Sequence, residues 1–425
     1  MNHRRVTRRS GIAVAAAAAA GIAAAAILLP HANANTDSAG EPRTFTSQSA
    51  TRLAASLDPE VREKTAGWYL DGATGRMVVN VVSKDAARRV GAEGAVPRIV
   101  RNSAASLKAA ARTLSSDASV PGTAWSVDPR TNKVVVTADR TVTGGRLEAL
   151  TKVTDRMGGL VRVKRSPGEF RRYDGGAAAH GPAAGDSRPG AARPGGSGAT
   201  APGAGDGAGG SGAGGSGSGG SGAGGPVGGS AIFGAGARCS LGFNVTVQGA
   251  PAFLTAGHCG NASRSWTADQ AGGVRLGSVV TSQFPGADFA LVKYDDPGAR
   301  PASAVGLEGG AVQQITGAAE ASVGLRVQRT GSTTGLKDGT VTGLGATVNY
   351  GNGDIVNGLV QTDVCAEPGD SGGALFAGES AVGLTSGGSG DCTQGGETFF
   401  QPVTAALQAT GAVIGAGGEG AVARR

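Results

Sequence analysis

Short apolar runs separated by turn-forming residues dominate the chain from residue 231 to residue 415. The runs lie at residues 242–247, 252–254, 277–280, 289–292, 323–328, 339–344, 359–362, 374–376 and 381–384. Runs of this length between Gly, Asn, Asp or Pro predict β-strands. Many short strands at close spacing predict an all-β barrel or sandwich, and one amphipathic helix is predicted at residues 403–409.

Residues 45–172 carry a different, mixed pattern that occurs twice. Trp68 and Trp125 begin matching strand, turn and strand segments 57 residues apart, and a helical pattern follows each copy, at residues 84–91 and 145–157. The pattern predicts two small α/β units in tandem. No nucleophile constellation occurs in them, so we interpret the region as a folding or inhibitory domain.

Glycine, serine and alanine make up most of residues 173–230. Such a segment has almost no apolar surface to bury, which predicts a flexible linker with a root-mean-square span of about 40 Å. A linker of that span lets the folded parts on either side touch or separate. Residues 416–425 are predicted to form a disordered tail.

The N-terminus has the pattern of an export signal. A basic start containing Arg4 and Arg5 precedes an apolar run at residues 11–29, and Ala32 and Ala34 complete a small-residue cleavage site. We predict a signal peptide at residues 1–34, exported by the Sec or the twin-arginine route, and therefore a secreted protein without stable membrane association. The alternative is a retained membrane anchor with the glycine-rich segment as a stalk.

The charge differs between the two halves of the chain. The net charge is +7, but the first 225 residues contain 29 Lys and Arg against 17 Asp and Glu, and the remainder contains 10 against 15. No nucleic-acid-binding motif accompanies the basic half, so we expect attraction between the halves rather than nucleic-acid binding.

All four cysteines lie in the second half, at positions 239, 259, 365 and 392. An even number of cysteines in an exported chain predicts two disulfides, for which three pairings are possible. No two cysteines have the spacing of a zinc site.

A nucleophilic serine is predicted within the GDSGG segment at residues 369–373. Glycines on both sides of Ser371 permit a tight turn that exposes the hydroxyl and leaves backbone amides free to stabilise an oxyanion. The amides of Gly369 and Ser371 are the candidates for that oxyanion hole.

His258 is the only histidine after residue 180, so it is the one imidazole available as a base in the β-rich region. Four acids are candidates to orient it. Asp288 opens an apolar strand, where a half-buried acid is expected, whereas Asp295 and Asp296 precede a proline and Asp269 lies in a polar loop. We therefore predict the triad of His258, Asp288 and the GDSGG serine.

These segments resemble the streptogrisin and α-lytic protease family of chymotrypsin-like serine proteases. The similar segments are residues 238–245, 254–259, 329–335, 346–350, 364–373, 383–390 and 398–403. The tandem α/β units resemble that family's propeptide. The resemblance implies an all-β protease domain at 231–415 made of two six-stranded antiparallel β-barrels, a small α/β propeptide at 35–172, and the linker at 173–230 between them.

The resemblance also implies roles for individual residues. It pairs Cys239 with Cys259 and Cys365 with Cys392. It places Ser386 as a support for Asp288, and it pairs Arg329 with Asp370 in a structural ion pair. The implied substrate-binding residues are Val364, Ala366, Thr385, Ser386, Gly387, Gly388 and Thr398.

The implied activity is endopeptidase hydrolysis through an acyl-enzyme, without cofactor or metal. We expect a monomer that acts on polypeptides, prefers Phe, Tyr or Leu before the cut (the P1 position), and has its own propeptide as folding assistant and inhibitor. Asp363 leaves open a basic P1 preference, and a catalytically silent binding protein is the remaining alternative. Maturation is expected within residues 170–231, away from the unreactive Gly225–Pro226 bond.

Overall fold

A computed structural model describes residues 41–173 and 225–415. The predicted signal peptide, nearly all of the predicted linker and the predicted tail lie outside the described residues. Within the described ranges, no helix combines the length and the apolar character needed to cross a membrane.

The N-terminal α/β region consists of two units with the same order of strand, strand, helix and strand. The elements of the first unit are α1 (Ser47–Ser56), α2 (Pro59–Glu63), β1 (Thr65–Asp71), β2 (Arg76–Val81), α3 (Lys84–Ala92) and β3 (Val96–Ile99). The elements of the second are α4 (Ala104–Asp117), β4 (Thr123–Asp128), β5 (Lys133–Ala138), α5 (Gly144–Asp155), β6 (Val161–Arg165) and β7 (Arg171–Arg172). In each unit the first two strands are antiparallel and the third runs parallel to the second.

Helix α4 is the main element that the sequence pattern did not predict. Ser103 caps its N-terminus by accepting a hydrogen bond from the Ser106 amide. Leu107, Ala110 and Leu114 form its buried face at helical spacing. Alanine and serine occupy most other positions, so the contrast between the apolar and polar faces is too weak to stand out in the sequence.

The first barrel of the protease region is built from antiparallel strands. Its elements are β8 (Ala231–Gly234), β9 (Ala237–Ser240), β10 (Phe243–Val247), β11 (Ala250–Thr255), α6 (Gly257–Ala262), β12 (Ser265–Thr267), β13 (Arg275–Gln283) and β14 (Phe289–Tyr294). β9 and β10 lie at opposite ends of the hydrogen-bonded order, and only Leu241 and Gly242 separate them in the chain. Together they act as one bent strand that closes a six-stranded barrel.

Short elements connect this barrel to the second. They are β15 (Ala304–Gly306), a 3₁₀ turn (Glu308–Gly310), β16 (Val312–Gln314) and β17 (Gly317–Ala318). The second barrel contains β18 (Arg326–Gly331), β19 (Gly335–Asn349), β20 (Ile355–Thr362), β21 (Ala374–Ala377), β22 (Ser380–Asp391) and β23 (Gly395–Pro402), followed by α7 (Val403–Thr410). Pairing of β18 with β19 closes it as a six-stranded barrel, so the predicted fold class is confirmed.

The predicted strand at 323–328 starts later than expected. The Leu325 amide donates to the carbonyl of Ser322 in a turn, and the strand begins at Arg326. Apolar character alone did not distinguish these turn residues from the strand that follows.

The α/β region extends the sheet of the second barrel. β4 pairs antiparallel with β19, with Trp125 opposite Thr347 and Ala124 opposite Val348. Separately, β7 pairs antiparallel with β22. Strand pairing therefore joins the N-terminal region to the protease region at two places, the β19–β20 hairpin and the strand that contains Ser386. The first α/β unit makes a further contact, because the Leu70 amide donates to the carbonyl of Val323.

Candidate active site

A short helix at the end of β11 positions His258. The helix α6 begins at Gly257, where an added Cβ would lie 2.1 Å from the carbonyl oxygen of Gln283, so glycine is needed for the close packing against β13. The disulfide between Cys259 and Cys239 ties the helix to β9. His258 is thereby fixed at the junction of the two barrels.

Asp288 orients the imidazole from the start of β14. Its two carboxylate oxygens lie 3.0 and 2.9 Å from Nδ1 of His258, and Oδ1 also accepts the backbone N–H of His258 at 3.0 Å. The hydroxyl of Ser386 donates to Oδ2 at 2.6 Å. Asp288 is fully buried, so these donors replace the water that an ionised carboxylate otherwise needs. The amide of Asp288 donates to the side chain of Gln401 at 2.8 Å, a support that the sequence analysis missed.

Ser371 lies on a turn that only glycine neighbours can form. Its Oγ is 2.7 Å from Nε2 of His258. Gly372 has φ +81°, and a Cβ there would lie 2.1 Å from the Thr255 hydroxyl. Gly369 has φ +101°, so its amide takes a direction that an ordinary residue would reach only with strain.

A buried ion pair supports the turn from behind. Nη1 of Arg329 lies 3.1 Å from Oδ2 of Asp370, and both side chains are fully buried. Asp370 also accepts the backbone amides of Thr333 and Thr334 at 2.9 and 3.1 Å. Burial lowers the pKa of Arg329, and the charge of Asp370 acts in the opposite direction. The disulfide between Cys365 and Cys392 braces the same side of the barrel.

The last residue of the described N-terminal region enters this site. Tyr173 accepts the amide of Gly369 on its carbonyl oxygen at 2.6 Å and donates its own amide to the carbonyl of Ser386 at 3.4 Å. Arg172 and Arg171 pair with Gly387 and Gly388 of β22. This is the register of an extended peptide added as a strand, with the Tyr173 carbonyl at the candidate oxyanion hole.

The side chain of Tyr173 fills a pocket beside Ser371 and is 3% exposed. A Cβ on Gly388 would lie 2.6 Å from the phenol oxygen, so glycine at this position admits the ring. Burial raises the pKa of Tyr173, which keeps the phenol neutral, and the hydroxyl of Thr398 opposes this effect. The pocket therefore accommodates a large, uncharged side chain.

The other predicted substrate-binding residues lie around the same barrel. Val364 is buried in the hydrophobic cluster of the second barrel, and Ala366 is also buried. The hydroxyl of Thr385 donates to the carbonyl of Gly373 and supports the nucleophile turn. Substrate contact by these three residues, and the second oxyanion donor from the Ser371 amide, stay predictions.

Asp363 is exposed, and its carboxylate accepts the backbone amide of Thr340 at 2.6 Å. The Asp363 carboxylate is therefore hydrogen-bonded to the backbone of β19.

Within residues 41–173 and 225–415, no group of three or more His, Cys, Asp or Glu side chains could hold a metal ion.

Three family models match the chain. They are Alpha-lytic protease pro N-terminal at residues 38–100, Alpha-lytic protease prodomain at 102–158 and Trypsin at 243–410. Streptogrisin-D from Streptomyces griseus is 45% identical over 416 residues, which cover 98% of this chain and 92% of that protein. Streptogrisin-A from the same organism is 41% identical over 297 residues, which cover 70% and 80% of the two chains. Glutamyl endopeptidase 2, also from Streptomyces griseus, is 47% identical over 184 residues, 43% of this chain and 96% of that protein.

Proposed function

Because the chain belongs to the streptogrisin and α-lytic protease family of serine endopeptidases made with a propeptide, we propose that it is a secreted enzyme that cleaves after large uncharged residues. The observation that carries this proposal is the position of Tyr173. Its side chain fills the pocket beside Ser371, and its carbonyl oxygen accepts the amide of Gly369. We take Tyr173 as the P1 residue of a bound peptide.

The triad geometry supports acyl transfer. Ser371 attacks the carbonyl carbon of the P1 residue while His258 removes the hydroxyl proton through Nε2. His258 then returns that proton to the leaving amine, and the acyl-enzyme is hydrolysed by water activated in the same way. Asp288 keeps the imidazole in the tautomer that accepts on Nε2 and offsets the imidazolium charge.

The electrostatics of the pocket favour a neutral P1 side chain. Burial has the largest effect on the pKa of the Tyr173 phenol and raises it. The Thr398 hydroxyl and the charge of Arg329 lower this pKa, whereas the charges of Asp370 and Glu367 raise it. A P1 carboxylate would lose its hydration in the same buried pocket. The relative named as a glutamyl endopeptidase raises the alternative of Glu at P1, and this desolvation argues against it for the present chain.

A comparison of P1 residues tests the proposed specificity. We expect the matured enzyme to cleave after Tyr, Phe or Leu with kcat/KM at least about 100-fold above that for Glu or Arg, because the charged side chains lose hydration in the pocket. Peptides that differ only at P1 provide the measurement.

The Asp363→Asn variant separates the basic alternative from the proposed one. Since the Asp363 carboxylate binds the Thr340 amide, the variant should keep the same P1 profile as the parent enzyme. Cleavage after Arg that disappears in Asp363→Asn would instead establish Asp363 as the specificity residue, and efficient cleavage after Glu would favour the glutamyl class.

The propeptide is proposed to inhibit by occupying the cleft in the manner of a substrate. Phe170 packs against Phe399 with ring centroids 5.6 Å apart, and the hydroxyls of Ser166 and Ser389 lie 3.0 Å apart. Lys164 forms an ion pair with Glu397 across the same contact. The ion pair has the sign expected from the basic propeptide and the acidic protease region, which supports charge-assisted docking.

The position of Tyr173 also predicts where the precursor is cut. We expect the released propeptide to end at Tyr173, because the carbonyl of this residue occupies the candidate oxyanion hole. Intact mass and C-terminal sequencing of the propeptide fragment from culture medium would measure this. A propeptide that ends elsewhere, with no fragment ending at Tyr173 at any time, would contradict the prediction.

We also propose that the protein is exported and that the matured enzyme is a monomer. The basic and apolar N-terminal pattern supports export with removal of residues 1–34. Recovery of the protease in the membrane fraction rather than in the medium would favour the retained anchor. We propose a monomer, which gel filtration of the matured enzyme tests.

A further inference from the structure

We propose that the enzyme also selects the P2 residue, which precedes P1, and that Asp354 and Phe284 favour Arg or Lys at that position. The inference rests on the proposed function, since it concerns the same substrate cleft. In the bound propeptide strand, Arg172 occupies P2 and pairs with Gly387 of β22.

Two groups of the protease contact the Arg172 guanidinium. Its Nη1 lies 3.4 Å from Oδ2 of Asp354, and its Cζ lies 5.4 Å from the centroid of the Phe284 ring. The distance to the ring is within the range of a cation–π interaction. The Arg172 and Asp354 side chains are 34% and 25% exposed, so water screens the pair less than it screens a fully exposed ion pair.

The P2 contacts come from both barrels and are held together by the protease itself. Phe284 lies just after β13 of the first barrel, and its ring stacks edge-to-face on His258 with centroids 5.7 Å apart. Asp354 lies in the turn between β19 and β20 of the second barrel, where its amide donates to the carbonyl of Gly351. The amide of Gly286 donates to the carbonyl of Ile355 at 2.8 Å, which joins the two segments. The hydrogen bonds and ring contact that hold the P2 site together are therefore made within the protease itself.

The adjacent arginine provides an internal contrast. Arg171, at P3, points to the other side of the strand and is 54% exposed. Its guanidinium bonds to Glu169 of the propeptide at 2.8 Å. The protease thus contributes an acid and an aromatic ring to the P2 side chain, and the propeptide contributes an acid to the P3 side chain.

The test uses matured enzyme and peptides with Tyr at P1 and Arg, Lys, Met, Glu or Ala at P2. An ion pair and a cation–π contact, both partly exposed, predict kcat/KM about fivefold higher for Arg than for Met, with Glu lower than Ala. Asp354→Asn should reduce the ratio of kcat/KM for the Arg peptide over the Met peptide from about fivefold to about twofold, which is the part that the Phe284 ring supplies. Asp338→Asn, which removes an exposed acid from the same barrel, is the matched control and should keep the preference.

The outcomes separate the two proposals. Efficient cleavage of the Ala peptide without any preference for Arg, or a preference that is undiminished in Asp354→Asn, overturns the P2 assignment and leaves the P1 assignment standing. Failure of the folded enzyme to cleave any peptide with Tyr at P1 overturns both. As a second measurement, a short peptide ending in Met-Tyr should inhibit the matured enzyme about fivefold more weakly than one ending in Arg-Tyr, and equal inhibition by the two peptides counts against the P2 site.

Discussion

Replacement of Ser371 by alanine should lower kcat for peptide hydrolysis by about 10⁶-fold and leave the propeptide attached. The imidazole Nε2 lies 2.7 Å from the Ser371 hydroxyl, and alanine removes the atom that forms the acyl bond. Binding is expected to survive, because the Gly369 amide and the edge of β22 are unchanged. The purified variant should therefore migrate as an uncut precursor when expressed without other proteases.

Ser278→Ala is the matched control for this variant. Ser278 is exposed on β13, where its hydroxyl bonds to Asp295. It should mature normally and keep full activity. A Ser371→Ala protein that is folded, free of the propeptide and still more than about 1% active would exclude Ser371 as the nucleophile.

Replacement of Arg329 by methionine should lower the free energy of unfolding of the protease by about 3–5 kcal/mol. The change leaves Asp370 with its negative charge in a fully buried position and without its counter-ion. The guanidinium also donates to the carbonyl of Cys365 at 2.7 Å, so a backbone acceptor loses its partner as well. The midpoint of urea-induced loss of structure, followed by fluorescence, measures the effect.

The double variant Arg329→Met/Asp370→Asn tests the cause of that loss. If an uncompensated buried charge is responsible, removing the charge should recover part of the stability, since replacing both partners of a buried pair costs less than replacing one. The amides of Thr333 and Thr334 can still donate to the side-chain oxygen of the asparagine that replaces Asp370. A single Arg329→Met variant as stable as the parent would show that the pair contributes little.

The parts of the site that could be predicted are those in which residue type is tightly constrained. The glycines around Ser371 are required by the turn, and His258 was the one imidazole in its region. Asp288 was chosen among four acids because it precedes an apolar strand, and the structure places it against His258. These inferences depended on local chemistry that a single sequence displays.

The missed parts depend on contacts between distant segments. β7 contains only two residues and has no periodicity, so nothing in its sequence indicates that it enters the cleft. Asp354 lies in a polar turn of the second barrel, and Phe284 lies in a connecting segment of the first barrel. Both contact the Arg172 guanidinium only because the two barrels pack against each other.

The propeptide pairs with strands of the protease at two separate places, β4 with β19 and the strand around Arg171 and Tyr173 in the cleft. After the cut, a competing peptide can displace the strand while β4 still holds the rest of the fragment. The displaced strand then returns as an intramolecular ligand, at an effective concentration on the order of millimolar. Substrate at lower concentration cannot compete with it for long. Lasting activation therefore depends on digestion of the propeptide, and the first enzyme molecules freed should accelerate the release of the rest.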